Sequence, residues 1–107
     1  MRTFVRQAAV LLLLQIACAR AGAAGEIVQV KINDLAFSPT EITIKPGDTV
    51  EWVNADFVDH TATATGGSWD VLIGPGKSAR RKFDKPGTSK YYCRFHPNMT
   101  GIIRVRK

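Results

Sequence analysis

Cys93-Arg94-Phe95-His96-Pro97-Asn98-Met99 sets a thiol, an imidazole and a thioether along one short segment, with two residues between successive donors. A tight loop can wrap three side chains around one ion only when so few residues part them. The donor types suit copper: two imidazoles and a thiolate in a trigonal plane with a weak axial methionine form the arrangement that serves one-electron transfer. The segment holds only one imidazole. The chain has two histidines, so His60 must supply the other. Taken singly, each residue has a plainer reading: a cysteine as a small buried hydrophobe, a methionine as packing, a histidine as a hydrogen-bonded surface group. The combination is what points to metal. Zinc favours a closed tetrahedral set of Cys, His or carboxylate and has little use for a thioether. A Cys–His nucleophilic pair is the enzymatic rival, but no base-orienting or oxyanion-binding group accompanies it.

The compartment fits the same reading. Arg2 and Arg6 precede an apolar run from Ala8 to Ala19, and Ala21-Gly22-Ala23 offers small residues for cleavage. Residues 1–24 therefore read as a secretory signal peptide, followed by one domain over 25–107. The apolar run is shorter than the roughly 20 residues a membrane-spanning helix needs, so no stable membrane insertion is expected. Cys18 lies where a lipid anchor could attach, but Gln15 stands where such sites want an aliphatic residue. Cleavage leaves Cys93 as the only thiol, with no partner for an internal disulfide. A lone cysteine sent to an oxidising compartment is a liability unless occupied, and a metal would occupy it. The expected location is the periplasm or another exported one.

The full chain of 107 residues carries a formal charge of +6. Loss of Arg2, Arg6 and Arg20, with no acid removed, lowers this to +3. So mild an excess gives no argument for nucleic acid, and the aromatic-glycine motifs of an RNA-binding sheet are absent.

The donors need rigid elements to hold them. Val28, Val30 and Ile32 alternate with polar residues, as do Ile42 and Ile44, and Val50 and Trp52. Each is a half-buried strand pattern. Pro46-Gly47-Asp48, Gly74-Pro75-Gly76 and Lys85-Pro86-Gly87 mark turns. Further strands are expected from His60 to Thr65, up to Phe83, up to Cys93, and over Gly101 to Val105, with a short helical turn around Trp69 to Ile73. This pattern predicts an all-β Greek-key sandwich of about seven to eight strands. Arg81 shares a face with Phe83, so its stem is expected to lie buried near a sheet end with its head in water.

These residues resemble the cupredoxins, the small blue copper proteins of the plastocyanin, pseudoazurin and amicyanin group. The likeness runs from Phe37-Ser38-Pro39 through Lys45-Pro46-Gly47-Asp48 and Trp52-Val53-Asn54 to His60. It resumes at Phe83, Pro86-Gly87-Thr88 and Tyr91, and ends with Cys93 to Met99 and Gly101. The ligand-loop spacing is most similar to that of amicyanin. The resemblance implies one copper per chain, with His60, Cys93 and His96 as strong ligands and Met99 as the axial one. It also implies that Asn54 hydrogen-bonds across to the cysteine loop. Phe95 stands where many members carry proline. Its amide therefore offers the Cys93 sulfur a hydrogen bond that would favour Cu(I). The resemblance places His96 nearest the surface, ringed by Phe95, Pro97 and Met99.

The expected function is diffusible one-electron transport between a redox donor and an acceptor, with no enzymatic role. The partners would meet a monomer through a small, short-lived interface. Arg80, Arg81, Lys82, Lys85, Lys90 and Arg94 could form a basic rim that steers acidic partners. The alternative is a copper carrier or chaperone. Such proteins use exposed, Met-rich or His-rich sites, and this chain has a single methionine beyond the initiator.

Overall fold

The computed structural model describes residues 25–107. The signal-peptide expectation and Cys18 lie outside them. Nine strands run in order: β1 (Ile27–Asn33), β2 (Ala36–Ser38), β3 (Glu41–Ile44), β4 (Asp48–Asn54), β5 (His60–Ala64), β6 (Asp70–Ile73), β7 (Ser78–Phe83), β8 (Gly87–Tyr92) and β9 (Thr100–Val105). They form two sheets, ordered β2-β1-β4-β7 and β3-β9-β8-β5-β6. β1 pairs in parallel with β4 and β3 with β9, and the remaining pairs are antiparallel.

Alternation builds the core as the sequence predicts. Val30 and Ile32 on β1, Val50 and Trp52 on β4, and Phe83 on β7 face Ile44, Ala62, Ile73, Tyr91, Ile103 and Val105 from the other sheet. Trp52 spans the gap: its Nε1–H donates to the Tyr91 hydroxyl at 3.3 Å, and its ring meets Tyr91 edge-on. Burial pushes the Tyr91 hydroxyl up to about 12, so it stays protonated. The Tyr91 ring in turn covers Gly101 on β9, where a Cβ would collide with it. Arg81 behaves as expected, half-buried with its guanidinium 4.7 Å from the Phe83 ring centroid and 5.3 Å from that of Trp69.

Two elements depart from the sequence reading and raise the strand number to nine. The helical turn expected around Trp69 to Ile73 is instead strand β6, paired from Asp70 opposite Thr63 to Ile73 opposite His60. A lone helical turn cannot repay its nucleation, whereas the edge of β5 offers ready partners. The second element is β2, only three residues long. It forms because Asp34 and Leu35 take positive φ values of 53° and 59° and reverse the chain in a two-residue hairpin. Leucine is costly in that region. Asp56 offsets the cost, since its carboxylate accepts the Asp34 and Leu35 amides at 2.8 and 3.0 Å.

Carboxylates also tie the far end together. Asp48 accepts the Glu26 amide at 2.9 Å and the Lys45 amide at 2.8 Å, and these bonds hold its carboxyl below the usual value of 3.8. Glu51 is held below 4.5 by Arg80 and Gln29. Unfolding returns both groups to their ordinary values. Their contribution is therefore complete above those values and is lost as pH falls through the lower folded ones. Thermal melts of the metal-free protein should show a parent Tm that declines on acidification below about pH 4. Asp48→Asn should flatten that decline, and an equally steep acid limb in the variant would contradict the assignment.

Candidate metal centre

The segment from Cys93 to Met99 is the loop of the β8–β9 hairpin. The ladder ends at Tyr92 opposite Thr100, and the Cys93 amide then donates to the Met99 carbonyl at 3.1 Å. Inside that closure lie two consecutive turns. The His96 amide donates to the Cys93 carbonyl at 3.2 Å, and the Met99 amide to the His96 carbonyl at 2.9 Å. Each interval between donor residues is thus one hydrogen-bonded turn, which explains the repeat of three.

His60 arrives from the neighbouring strand as the first residue of β5. Its Nδ1 lies 3.7 Å from Cys93 Sγ, and His96 Nδ1 lies 3.6 Å from the same sulfur. The two rings are 5.0 Å apart, and all three donor atoms fall within 4.8 Å of one another. His60 and Cys93 are wholly buried, Met99 nearly so, and His96 is partly exposed. The fold thus brings His60, Cys93 and His96 together, and carries Met99 on the same loop as the last two.

The surroundings fix the rings. Asp56 Oδ2 lies 2.9 Å from His60 Nε2. The Leu35 amide, then the Asp34 amide and His60, hold the Asp56 carboxyl below its usual range. An ionised carboxylate can only accept, so His60 carries its proton on Nε2 and turns its Nδ1 lone pair toward the sulfur. The same residue that stabilises the β1–β2 turn therefore sets the His60 tautomer.

Two expectations about the surroundings are corrected. Asn54 does not reach the cysteine loop. Its Nδ2 donates to the carbonyls of Val58, Ile73 and Gly74 at 2.9, 3.0 and 3.2 Å, and its Oδ1 accepts the Asp56 amide at 2.9 Å. Asn54 ends β4 one sheet away, and from there it shapes the loop that carries Asp56 and leads into His60. The bridge to the cysteine loop comes from Thr61, whose Oγ1 accepts the Arg94 amide at 2.8 Å. Nor does Phe95 supply the amide on the sulfur. That donor is Thr61, at 3.3 Å from Sγ, because β5 lies beside β8 and brings its backbone against the strand end. Sequence reasoning missed Asp56 and Thr61. Their only signal was nearness to His60 in the chain, four residues before it and one after.

The surface also differs in two respects. Met99 is buried and takes no part in a rim around His96. The residues of the expected basic rim are dispersed: Lys90 lines a separate groove with Thr40, Thr65 and Gly101. β7 runs away from the site, so Arg81, Lys82 and Lys85 line a groove at the opposite end with Gly87 and Val105. Arg80 is paired with Glu51, and Arg94, beside the site, is paired with Asp70. Exposed apolar side chains lie close to the site residues in the chain: Phe95 and Val58 are about half exposed, and Phe57, next to Asp56, is 96% exposed.

Two imidazole nitrogens, one thiol and one thioether, brought together by a β-framework, fit a single copper ion better than zinc. Comparison with known proteins agrees. The family model of the cupredoxin-like domain matches residues 6–105. The chain is similar to plastocyanin of Scenedesmus fuscus, with 40% identity over 86 residues covering 67% of this chain and 88% of that one. It is also similar to amicyanin-alpha of Methylorubrum extorquens, at 32% identity covering 72% and 70%. Among solved structures, amicyanin from Paracoccus versutus superposes with a TM-score of 0.67 at 29% identity, over 80% of this chain and 87% of that one. The chain belongs to the cupredoxin-like family.

Proposed function

We propose that this protein carries single electrons between redox partners, and that one copper ion would be held by His60, Cys93 and His96, with Met99 as the weakest donor. Copper, when bound, supplies a Cu(II)/Cu(I) couple. The chain's own part is to keep the donors still. Cys93 is anchored at the end of β8, His60 at the start of β5, and His96 and Met99 on two hydrogen-bonded turns. Asp56 locks the His60 ring. Donors anchored in this way rearrange little between oxidation states, which keeps the barrier to electron exchange low. The observation that carries the reading is the convergence of both histidines on the one thiol.

A copper-delivery role is less well supported. Handing metal to another protein calls for exposed donors open to ligand exchange, whereas His60 and Cys93 are wholly buried. The kinship with plastocyanin and amicyanin also supports a carrier rather than an enzyme. In this reading residues 1–24 are an export signal, the mature protein is a monomer in the periplasm or an equivalent compartment, and copper keeps its lone thiol from oxidation.

His96, partly exposed beside Phe95, serves as the electron port, with Phe57 and Val58 extending the apolar surface on which partners dock. An acidic partner is then favoured only by the modest net positive charge, since the nearby Arg94 is already paired. Titration of the metal-free protein with Cu(II) should give an intense blue colour complete at one equivalent, with reversible reduction. Phe57→Ser should leave colour and potential unchanged while slowing electron exchange severalfold, with little dependence on salt. Colourless protein would overturn the copper reading. A Phe57→Ser variant as fast as the parent would remove this surface from the docking role.

A further inference from the structure

A closed ring of polar contacts lies on the outer side of the Cys93 strand end, and its hydrogens can be assigned by counting donors. Thr63 Oγ1 donates to Asp70 Oδ1 at 2.5 Å. A hydroxyl has one proton, so the 2.9 Å contact between Thr61 and Thr63 must use the proton of Thr61. The Thr61 oxygen then accepts from the Arg94 amide at 2.8 Å. Arg94 closes the ring, with Nε and Nη2 each 3.1 Å from an Asp70 oxygen. The order is fixed: the Arg94 amide donates to Thr61, Thr61 to Thr63 and Thr63 to Asp70, and the Arg94 side chain closes the ring by donating to the same Asp70 carboxylate. Thr61 and Thr63 are two apart on β5 and so share a face, and both are buried. Such chains strengthen each member by polarisation when they end on a charge.

The ring starts at the residue after Cys93 and passes through the residue whose amide bonds the Cys93 sulfur at 3.3 Å. We propose that Asp70 and Thr63 are positioning residues for the Cys93 sulfur: through Thr61 and Arg94 they hold the Thr61 amide on Sγ and thereby tune the copper site. The inference rests on the copper reading above. A hydrogen bond to the sulfur favours the electron-rich reduced state. Loosening the ring should therefore shift the site toward the oxidised form.

Thr63→Val keeps the side chain's shape and removes the relay, while Thr63→Ser keeps the hydroxyl. Asp70→Ala removes the terminal acceptor at an exposed position where folding is not at stake. Two measurements decide. In the metal-free protein, hydrogen exchange at the Arg94 amide should accelerate about tenfold in Thr63→Val and Asp70→Ala and stay at the parent rate in Thr63→Ser. In the copper-loaded protein, the oxidised form should be favoured roughly three- to tenfold in the first two variants, a tenfold change being about 59 mV for one electron, and not in the third. An Arg94 amide as protected in Thr63→Val as in the parent would overturn the proposal. So would a potential in Thr63→Ser shifted as far as in Thr63→Val, because packing rather than the relay would then be responsible. A parent that does not turn blue would instead overturn the copper reading, and the exchange measurement, made without metal, would still decide the ring.

Discussion

Replacing Cys93 with serine should abolish the blue colour and the reversible redox cycle while leaving the β-sandwich folded. The thiolate is the soft donor that selects copper and supplies the sulfur-to-metal absorption, and a hydroxyl offers neither. Loss of an outer partner of a metal ligand costs about 10–100-fold in affinity, and loss of the central strong ligand should exceed that. Copper binding also stabilises the folded state by mass action, so the rise in Tm on adding copper should shrink or vanish. The metal-free fold should persist, because serine is close to cysteine in size and the Thr61 amide keeps an acceptor where Sγ stood. Optical titration with Cu(II), set beside thermal melts with and without metal, separates the two effects. A serine variant that still turned blue would mean that Cys93 is not a ligand.

Trp52→Ala should be the most destabilising core substitution. Trp52 is fully buried, touches the rings of Trp69 and Tyr91, and bonds the Tyr91 hydroxyl. Removing a buried tryptophan side chain costs about 3–5 kcal/mol, and the Tyr91 hydroxyl loses its partner as well. A domain of this length has roughly 4–12 kcal/mol in total. The metal-free variant should therefore lose a large share of its stability, and at the lower end of that range be partly or wholly unfolded. Free copper at about 1,000 times its dissociation constant restores roughly 4 kcal/mol, so the loaded variant should refold and turn blue. Urea melts of both forms check this. A metal-free Trp52→Ala protein within about 1 kcal/mol of the parent would contradict the packing argument.

Much of this was legible in the chain. The spacing from Cys93 to Met99 and the presence of one other histidine named the donor set. Alternation of Val30 with Ile32 and of Val50 with Trp52 named the inner faces, because in strands period-two burial is a local property. The turns at Pro46-Gly47 and Pro86-Gly87 were readable for the same reason: their backbone demands fall on the residues that make them.

What escaped depends on residues distant in sequence. β6 is a strand because β5 lies beside it, and β2 exists because Asp56, some twenty residues on, holds the amides of an unfavourable turn. The basic residues of β7 looked able to surround the metal site until the strand's direction carried them to the other end. The family pattern suggested Asn54 as the link to the cysteine loop, but sheet order gave that link to Thr61. The sequence alone thus determined which atoms can bind the metal and which faces turn inward, since donor chemistry and alternation are local. Only the tertiary structure decided which amide meets the sulfur, which carboxylate orients His60 and what surrounds His96, because each depends on how strands far apart in the chain are set side by side.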